Sequence, residues 1–160
     1  MNEFATIKTP IGTLGVRTNS IGVYRIHLAN DVDYKETETP INNQSPILKN
    51  ALKQLREYFD ENRTTFSVPL DLQMPPFYKK ALLEVAKIPY GKTVSYQEIA
   101  RRAGNAKASR AAGSANANNP IAIFIPCHRI LASDGTLGGY GGGLDKKMIL
   151  LELEGLDVRL

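Results

Sequence analysis

The chain has 160 residues, 42% of them hydrophobic and 22% charged, with a formal net charge of +4. These figures describe one globular domain or two small ones with a real core, and they exclude a disordered or fibrous chain. No apolar run approaches the roughly 20 residues of a membrane-spanning helix, and a single cysteine excludes an intrachain disulfide.

The first 30 residues read as a β-meander. Residues 3–9 alternate, Pro10-Ile11-Gly12 is a turn, and 13–18 and 22–28 are β-rich around Asn19-Ser20. Residues 31–45 are polar and read as a loop. The spacing predicts an amphipathic helix over 46–62, with Leu48, Leu52, Leu55 and Phe59 on one stripe, then a short strand over 65–72. Gln73-Met74-Pro75-Pro76 breaks the pattern and places a domain boundary near residue 75, giving domains 1–75 and 76–160.

The second half opens with a helix over 76–87 and a turn at Pro89-Tyr90-Gly91-Lys92. Ser95 caps a helix through Arg102, with Glu98 placed for a capping box, and Gly104 ends it. A second short helix over 108–117 completes the outline of a helix-turn-helix. Its side chains are small apart from Arg110, which suits either close approach to a minor groove or tight helix packing. Asn118-Asn119-Pro120 then leads into an apolar strand over 121–125 that ends at Cys127. Residues 135–143 contain six glycines and one tyrosine, a loop costly to order and suited to close backbone approach. A last helix over 144–154 turns Ile149, Leu150 and Leu153 inward and stops at Gly155.

Charge divides unevenly. Residues 1–75 carry 8 Lys and Arg against 9 Asp and Glu, and residues 76–160 carry 12 against 7. Arg101, Arg102, Lys107 and Arg110 form the densest basic stretch, which fits a polyanion partner or an ordinary solvated helix.

The chemistry concentrates in Ile125-Pro126-Cys127-His128-Arg129-Ile130, which joins the single cysteine to one of two histidines. A base beside a thiol is the minimum for a sulfur nucleophile, since the thiolate is the attacking form. A free thiol fits a reducing compartment, and Met1-Asn2-Glu3-Phe4 lacks the layout of a secretory signal, so a cytoplasmic location is expected.

With that hexapeptide, Tyr90-Gly91-Lys92-Thr93-Val94-Ser95-Tyr96, Arg110-Ala111-Ala112-Gly113, Asn118-Asn119-Pro120, Gly138-Gly139-Tyr140-Gly141-Gly142-Gly143-Leu144 and Leu153-Glu154-Gly155 occur in order. Together they closely resemble the O6-alkylguanine-DNA alkyltransferases, also called methylated-DNA–protein-cysteine methyltransferases. The strong match covers about residues 76–155; the first part matches only in length and β-then-helix order. The resemblance implies an α/β fold: an N-terminal ribonuclease-H-like sheet-and-helix domain and a C-terminal helical domain of winged-helix type. It implies single-turnover repair of double-stranded DNA. A guanine alkylated on O6, or a thymine alkylated on O4, is flipped out through the minor groove and its alkyl group moves to Cys127.

Residue roles follow from the same resemblance. Cys127 accepts the alkyl group, His128 takes the thiol proton through a water, and Glu154 orients the histidine. Tyr140 donates a hydrogen bond to the departing guanine. Gly141 stands where many members carry Ser, so its backbone N–H alone is expected to serve O6. Ile130 presents its carbonyl to the guanine amino group, and Asn119 braces the turn into the active-site strand. Arg110 fills the space of the extruded base, Tyr96 presses the 3′ phosphate, and Gln97, Asn105 and Ser133 contact the DNA backbone.

No cofactor is implied, nor a membrane partner, and the chain is expected to be a monomer able to act cooperatively on DNA. The zinc that some relatives bind is excluded, because no cysteine precedes residue 127; His27 reads as a strand residue. Asn116 and Ala117 stand where some members carry a cation, which lowers the expected duplex affinity. A non-catalytic DNA-binding module of the same fold would lack the cysteine. A cysteine hydrolase would need an oxyanion hole and would leave the helix pair unexplained.

Overall fold

Period-two alternation at the start of the chain builds an antiparallel meander in the computed structural model, which describes residues 2–157. Strands β1 (Glu3–Thr9), β2 (Gly12–Thr18) and β3 (Val23–His27) lie in that order in the sheet. Ala5 pairs with Val16 and Ile7 with Leu14. Gly12 permits the first turn: its φ is +99°, and a β-carbon there would lie 2.6 Å from the Cβ of Ala29. Helix α1 (Pro46–Phe59) packs on the sheet through Leu48, Ala51, Leu55 and Tyr58. Leu52 and Phe59 are only half-buried, unlike the stripe expected from spacing. Tyr58 takes the inward place because its ring packs against Phe66, with centroids 5.5 Å apart. Ser45 caps the helix by accepting from the Leu48 N–H at 3.3 Å, and its own N–H donates to the buried Glu3 carboxylate.

Residues 65–72 do not form the expected strand. They join the sheet through one bridge, Val23 to Leu70. The Val23 N–H donates to Pro69 O at 2.9 Å, and the Asp71 N–H donates to Val23 O at 2.8 Å. Pro69 has no N–H with which to continue a ladder. The backbones pass so near each other that a β-carbon on Gly22 would lie 2.3 Å from Pro69 O.

The chain divides into two units, residues 1–72 and 73–160. In the second, α2 (Pro76–Val85), α3 (Tyr96–Arg102) and α4 (Ser109–Ala117) pack against one another. Ser95 caps α3 by accepting from the Glu98 N–H at 3.1 Å. The Glu98 carboxylate does not reach back to complete the box; it accepts from Arg101 and Arg102 instead. Strand β4 (Val94–Ser95) pairs in parallel with β5 (Ile130–Leu131). Helix α5 (Leu144–Leu153) closes the unit.

The apolar run 121–125, expected as a strand, turns back on itself. The Phe124 N–H donates to Ala122 O at 3.0 Å, and the Ile125 N–H donates to Ile121 O at 2.9 Å. Ile123 has φ +75°, a left-handed conformation that costs a β-branched residue about 1–3 kcal/mol. All five side chains are buried, so packing outweighs the strain. Cys127–Arg129 then forms one 3-10 turn, not the end of a strand. The inward face of α5 also differs from expectation: Lys147, Leu150 and Leu151 are buried, while Ile149 and Leu153 are half-buried. The shift follows from the Lys147 ammonium, which finds its partners inside. Among the described residues, no helix is long and apolar enough to cross a membrane.

The Gly22–Pro69 crossing gives a stability prediction. Gly22→Ala is expected to destabilise the chain by about 1–3 kcal/mol, read as a lower urea midpoint with an unchanged slope. An unaltered midpoint would contradict the close approach.

Candidate active site

A carboxylate buried at the C-terminal end of α5 organises the second unit. Glu154 is the C-cap residue of that helix, where the helix dipole disfavours a negative charge. Four donors compensate. Its Oε1 accepts from the Gly91 N–H at 2.9 Å and from Arg129 Nε at 2.8 Å. Its Oε2 accepts from His128 Nε2 at 2.7 Å and from Arg129 Nη2 at 2.9 Å. Burial pushes this carboxyl up, but the His128 and Arg129 hydrogen bonds outweigh it and hold the group at about 2. Arg129 also donates to Ile88 O at 2.7 Å and lies 5.7 Å over the Tyr90 ring. Tyr90 in turn donates to Leu153 O at 3.2 Å, so the turn at 89–92 is tied to the end of α5.

An ionised carboxylate only accepts, so His128 donates from Nε2 and keeps a lone pair on Nδ1. Burial holds the His128 imidazole below its usual range, against the Glu154 contact that raises it. Burial pushes the neighbouring Cys127 thiol up, while an Asn119 hydrogen bond and the Lys147 charge pull the other way. The resting pair is therefore a neutral thiol and a neutral imidazole on one 3-10 turn.

Two asparagines hold that turn. Asn119 donates from Nδ2 to Ile125 O at 2.9 Å and accepts from the Ile121 N–H at 3.0 Å. Asn116, from the last turn of α4, donates to Cys127 O at 3.2 Å. Among the described residues, four buried side-chain polar atoms have no hydrogen-bond partner. Thr18 Oγ1 lies in the first unit; His128 Nδ1, Tyr140 Oη and Asn116 Oδ1 belong to the second, on the chain neighbour of Cys127, on a phenol that feels its charge and on the amide that bonds its carbonyl. Burying polar atoms without partners is costly, so their gathering at one place marks a site.

A cavity of about 670 Å³ opens beside this cluster. Tyr96, Gln97, Arg110, Ser133, Tyr140 and Gly141 line it, as does Asn116. Six predicted residues from α3, α4 and the connection between β5 and α5 are thus brought together. Cys127, His128, Ile130 and Glu154 lie buried, with Asn116 linking the cavity wall to the cysteine carbonyl. Asn105 is separate: it is exposed on the α3–α4 connection, and its Oδ1 accepts from the Lys107 N–H. Arg110 is exposed at the cavity and makes no ion pair among the described residues. Arg101 and Arg102 both pair with Glu98, which offsets one of their two charges, so the basic stretch stays net positive.

Tyr96 packs its ring toward Gly113 and Gly138; a β-carbon on Gly138 would lie 2.9 Å from its hydroxyl. Burial raises its phenol, partly offset by the Gly139 N–H and the Asn116 side chain. Burial pushes the Tyr140 phenol well above its usual range, so it stays a proton-bearing donor. Lys147 ties the glycine-rich loop to β5. Its ammonium donates to Ile130 O at 2.6 Å, to Gly139 O at 3.2 Å and to Leu137 O. Burial lowers it to about 8. Sequence reasoning missed Arg129, Lys147 and the bond from Asn116. A signal existed for two of them: Lys147 and Asn116 sit at helical spacing among inward residues, with Leu150 and Leu151 in one case and Ala112 and Ala115 in the other.

Two family models match the chain. One, described as 6-O-methylguanine DNA methyltransferase, ribonuclease-like domain, covers residues 3–72. The other, 6-O-methylguanine DNA methyltransferase, DNA binding domain, covers residues 76–156. The chain is 39% identical over 158 residues to the constitutive methylated-DNA–protein-cysteine methyltransferase of Bacillus subtilis, covering 96% of each. It is 39% identical over 155 residues to the methylated-DNA–protein-cysteine methyltransferase of Methanosarcina acetivorans, covering 95% of this chain and 97% of that one. Its fold matches the crystal structure of the Mycobacterium tuberculosis O6-methylguanine methyltransferase with TM-score 0.81 and 38% identity, over 96% and 93% of the two chains. Against the M. tuberculosis protein in complex with DNA, the TM-score is 0.84 at 39% identity, over 94% and 91%.

The buried carboxylate makes acid stability testable. Its pKa in the folded chain, about 2, lies below the ordinary 4.5. The stabilisation is therefore complete above pH 4.5 and is lost as pH falls from there toward 2. Urea midpoints should decline across that window in the natural chain, and Glu154→Gln should be less stable at pH 7 with a flatter decline. Parallel pH curves for the two would contradict the ionised, hydrogen-bonded state.

Proposed function

Because the chain belongs to the 6-O-methylguanine DNA methyltransferase family, we propose that it repairs DNA by moving an alkyl group, chiefly methyl, from O6 of guanine to the sulfur of Cys127. The observation that carries this reading is His128: Nε2 is held by Glu154 at 2.7 Å, while Nδ1 is left without a partner beside the cysteine. Such a base takes the thiol proton as the sulfur attacks, and Glu154 stabilises the imidazolium that forms. The relay is expected to pass through a water, since adjacent residues on a turn do not face each other directly.

The sulfur–carbon bond forms as the carbon–O6 bond breaks. The electron pair goes to guanine, which leaves as an anion unless a donor meets it. Tyr140, held protonated by burial, supplies that donor, and the Gly141 backbone is assigned to O6. The thiol proton ends on the guanine, so atoms and charge balance. The thioether has no good leaving group, so each chain reacts once, and no cofactor is needed because the protein is itself the acceptor. O4-alkylthymine presents the same alkoxy carbon and is a second substrate.

Double-stranded DNA is the partner, approached through the minor groove. Arg110, exposed at the cavity on a helix of small residues, fills the gap left by the flipped base. Tyr96 presses the 3′ phosphate, and Gln97, Asn105 and Ser133 contact the backbone, so binding is salt-sensitive and weakly sequence-selective. The single thiol suits a reducing cytoplasm. The chain acts as a monomer that can assemble cooperatively along DNA.

Two variants test these assignments. Cys127→Ala should transfer no labelled methyl group from lesion-bearing duplex yet still bind it; residual transfer would remove the cysteine from its role. Arg110→Ala should slow reaction with duplex by about 10-fold or more, the value of a lost stacking contact, while sparing reaction with the free base O6-benzylguanine. Equal losses on both substrates would reject the stack-filling role.

A further inference from the structure

Helix α1 of the first unit carries three cations that its own packing does not use. Lys49, Lys53 and Arg56 stand at i, i+4 and i+7 on one face, and all three are exposed. The opposite face, with Leu48, Ala51, Leu55 and Tyr58, is buried on the sheet. Among the described residues none of the three makes an ion pair. The one acid within the helix, Glu57, is taken by Arg63 at 3.0 Å.

Like charges one turn apart repel, and no acid in the first turn offsets the helix dipole near Lys49. Arg56, in the last turn, suits the dipole; the two lysines gain nothing from the helix. Nor is the unit basic as a whole, since residues 1–75 carry 8 Lys and Arg against 9 Asp and Glu. A local stripe of positive charge on such a unit calls for an anionic partner.

The rest of the face selects among anionic partners. A membrane surface takes an amphipathic helix by its apolar face, and that face of α1 is buried. A protein interface needs an apolar or aromatic anchor and is depleted in Lys, yet the other exposed residues of α1 are only Pro46 and Asn50. DNA phosphates fit the spacing. From residue 49 to residue 56 the helix rises about 10.5 Å, at about 1.5 Å per residue. One DNA strand places about three phosphates along that length, at about 3.4 Å each.

We propose that the exposed face of α1 is a second DNA-contacting surface, on which Lys49, Lys53 and Arg56 bind backbone phosphates of double-stranded DNA without reading sequence or lesion. The proposal rests on the reading of DNA as the partner and adds a contact outside the helix-turn-helix unit. Phosphate contacts of this kind hold a protein on undamaged duplex and let it slide.

The test measures binding of the full chain to an undamaged duplex by fluorescence anisotropy over a series of NaCl concentrations. Each phosphate contact contributes about 0.9 to the slope of log K against log salt. Lys49→Gln/Lys53→Gln/Arg56→Gln should lower that slope by about 3 and weaken binding by about 10-fold or more. Lys49→Gln/Lys53→Gln, which leaves Arg56 at the helix end it suits, should lower it by about 2. Lys49→Arg/Lys53→Arg keeps both charges and should hold the natural slope. Reaction with the free base O6-benzylguanine, which needs a folded active site but no duplex, should be unchanged in every variant. An unaltered slope in the glutamine variants would overturn the proposal. So would an equal loss per charge from Lys8→Gln/Lys35→Gln, exposed cations on β1 and on the loop after β3, because that is the mark of net charge alone. A natural chain that binds no duplex would bring down the DNA reading and the proposal together; duplex binding with an unmoved slope sinks the proposal alone.

Discussion

One buried carboxylate sets the geometry on which the site depends. Glu154 stands at a helix end that repels it, in surroundings that disfavour its charge, and remains ionised because Gly91, Arg129 and His128 donate to it. Those donors come from two separate stretches, the turn before β4 and the 3-10 turn of the nucleophile, and the carboxylate ties both to the end of α5. Removing one partner from such a buried network leaves an uncompensated charge or an unsatisfied acceptor, at a cost of about 3–5 kcal/mol. The network therefore orients the histidine and also fixes the register between the segments that carry the chemistry.

From that anchor the reactive turn extends outward. Asn119 holds Ile125 and Asn116 holds Cys127, so α4 and the turn that follows it support the nucleophile. Lys147 adds a third tie, gathering the carbonyls of β5 and the glycine-rich loop around one ammonium. The same charge lies near the Cys127 sulfur and lowers the cost of its thiolate. Polar ties at buried positions, rather than a continuous sheet, shape this unit. The strained backbone at Ile123 is where the chain bends to allow them.

How much of this the sequence disclosed depends on the range of the interaction. The meander, the cap at Ser95 and the stop at Gly155 are local matters of spacing and backbone freedom, and they were legible. Residues 121–125 were not: an apolar run between prolines reads equally well as a buried strand or a buried turn, and tertiary packing decided. Residues 65–72 failed as a strand because Pro69 could not donate. Cys127, His128 and Glu154 were visible as parts of a familiar pattern, yet the pairing of Arg129 with Glu154 spans 25 residues and has no local trace. The charge count could not show that Glu98 pairs with both Arg101 and Arg102 and offsets one of their two charges.

The claim beneath all of this is that Cys127 is the final resting place of the alkyl group. Intact-protein mass spectrometry after incubation with excess duplex bearing O6-methylguanine tests it most directly. The predicted result is a gain of one methylene per chain, located on residue 127 by peptide mapping, with no further reaction. An unmodified Cys127, or continued turnover of lesion beyond one per chain, would contradict it.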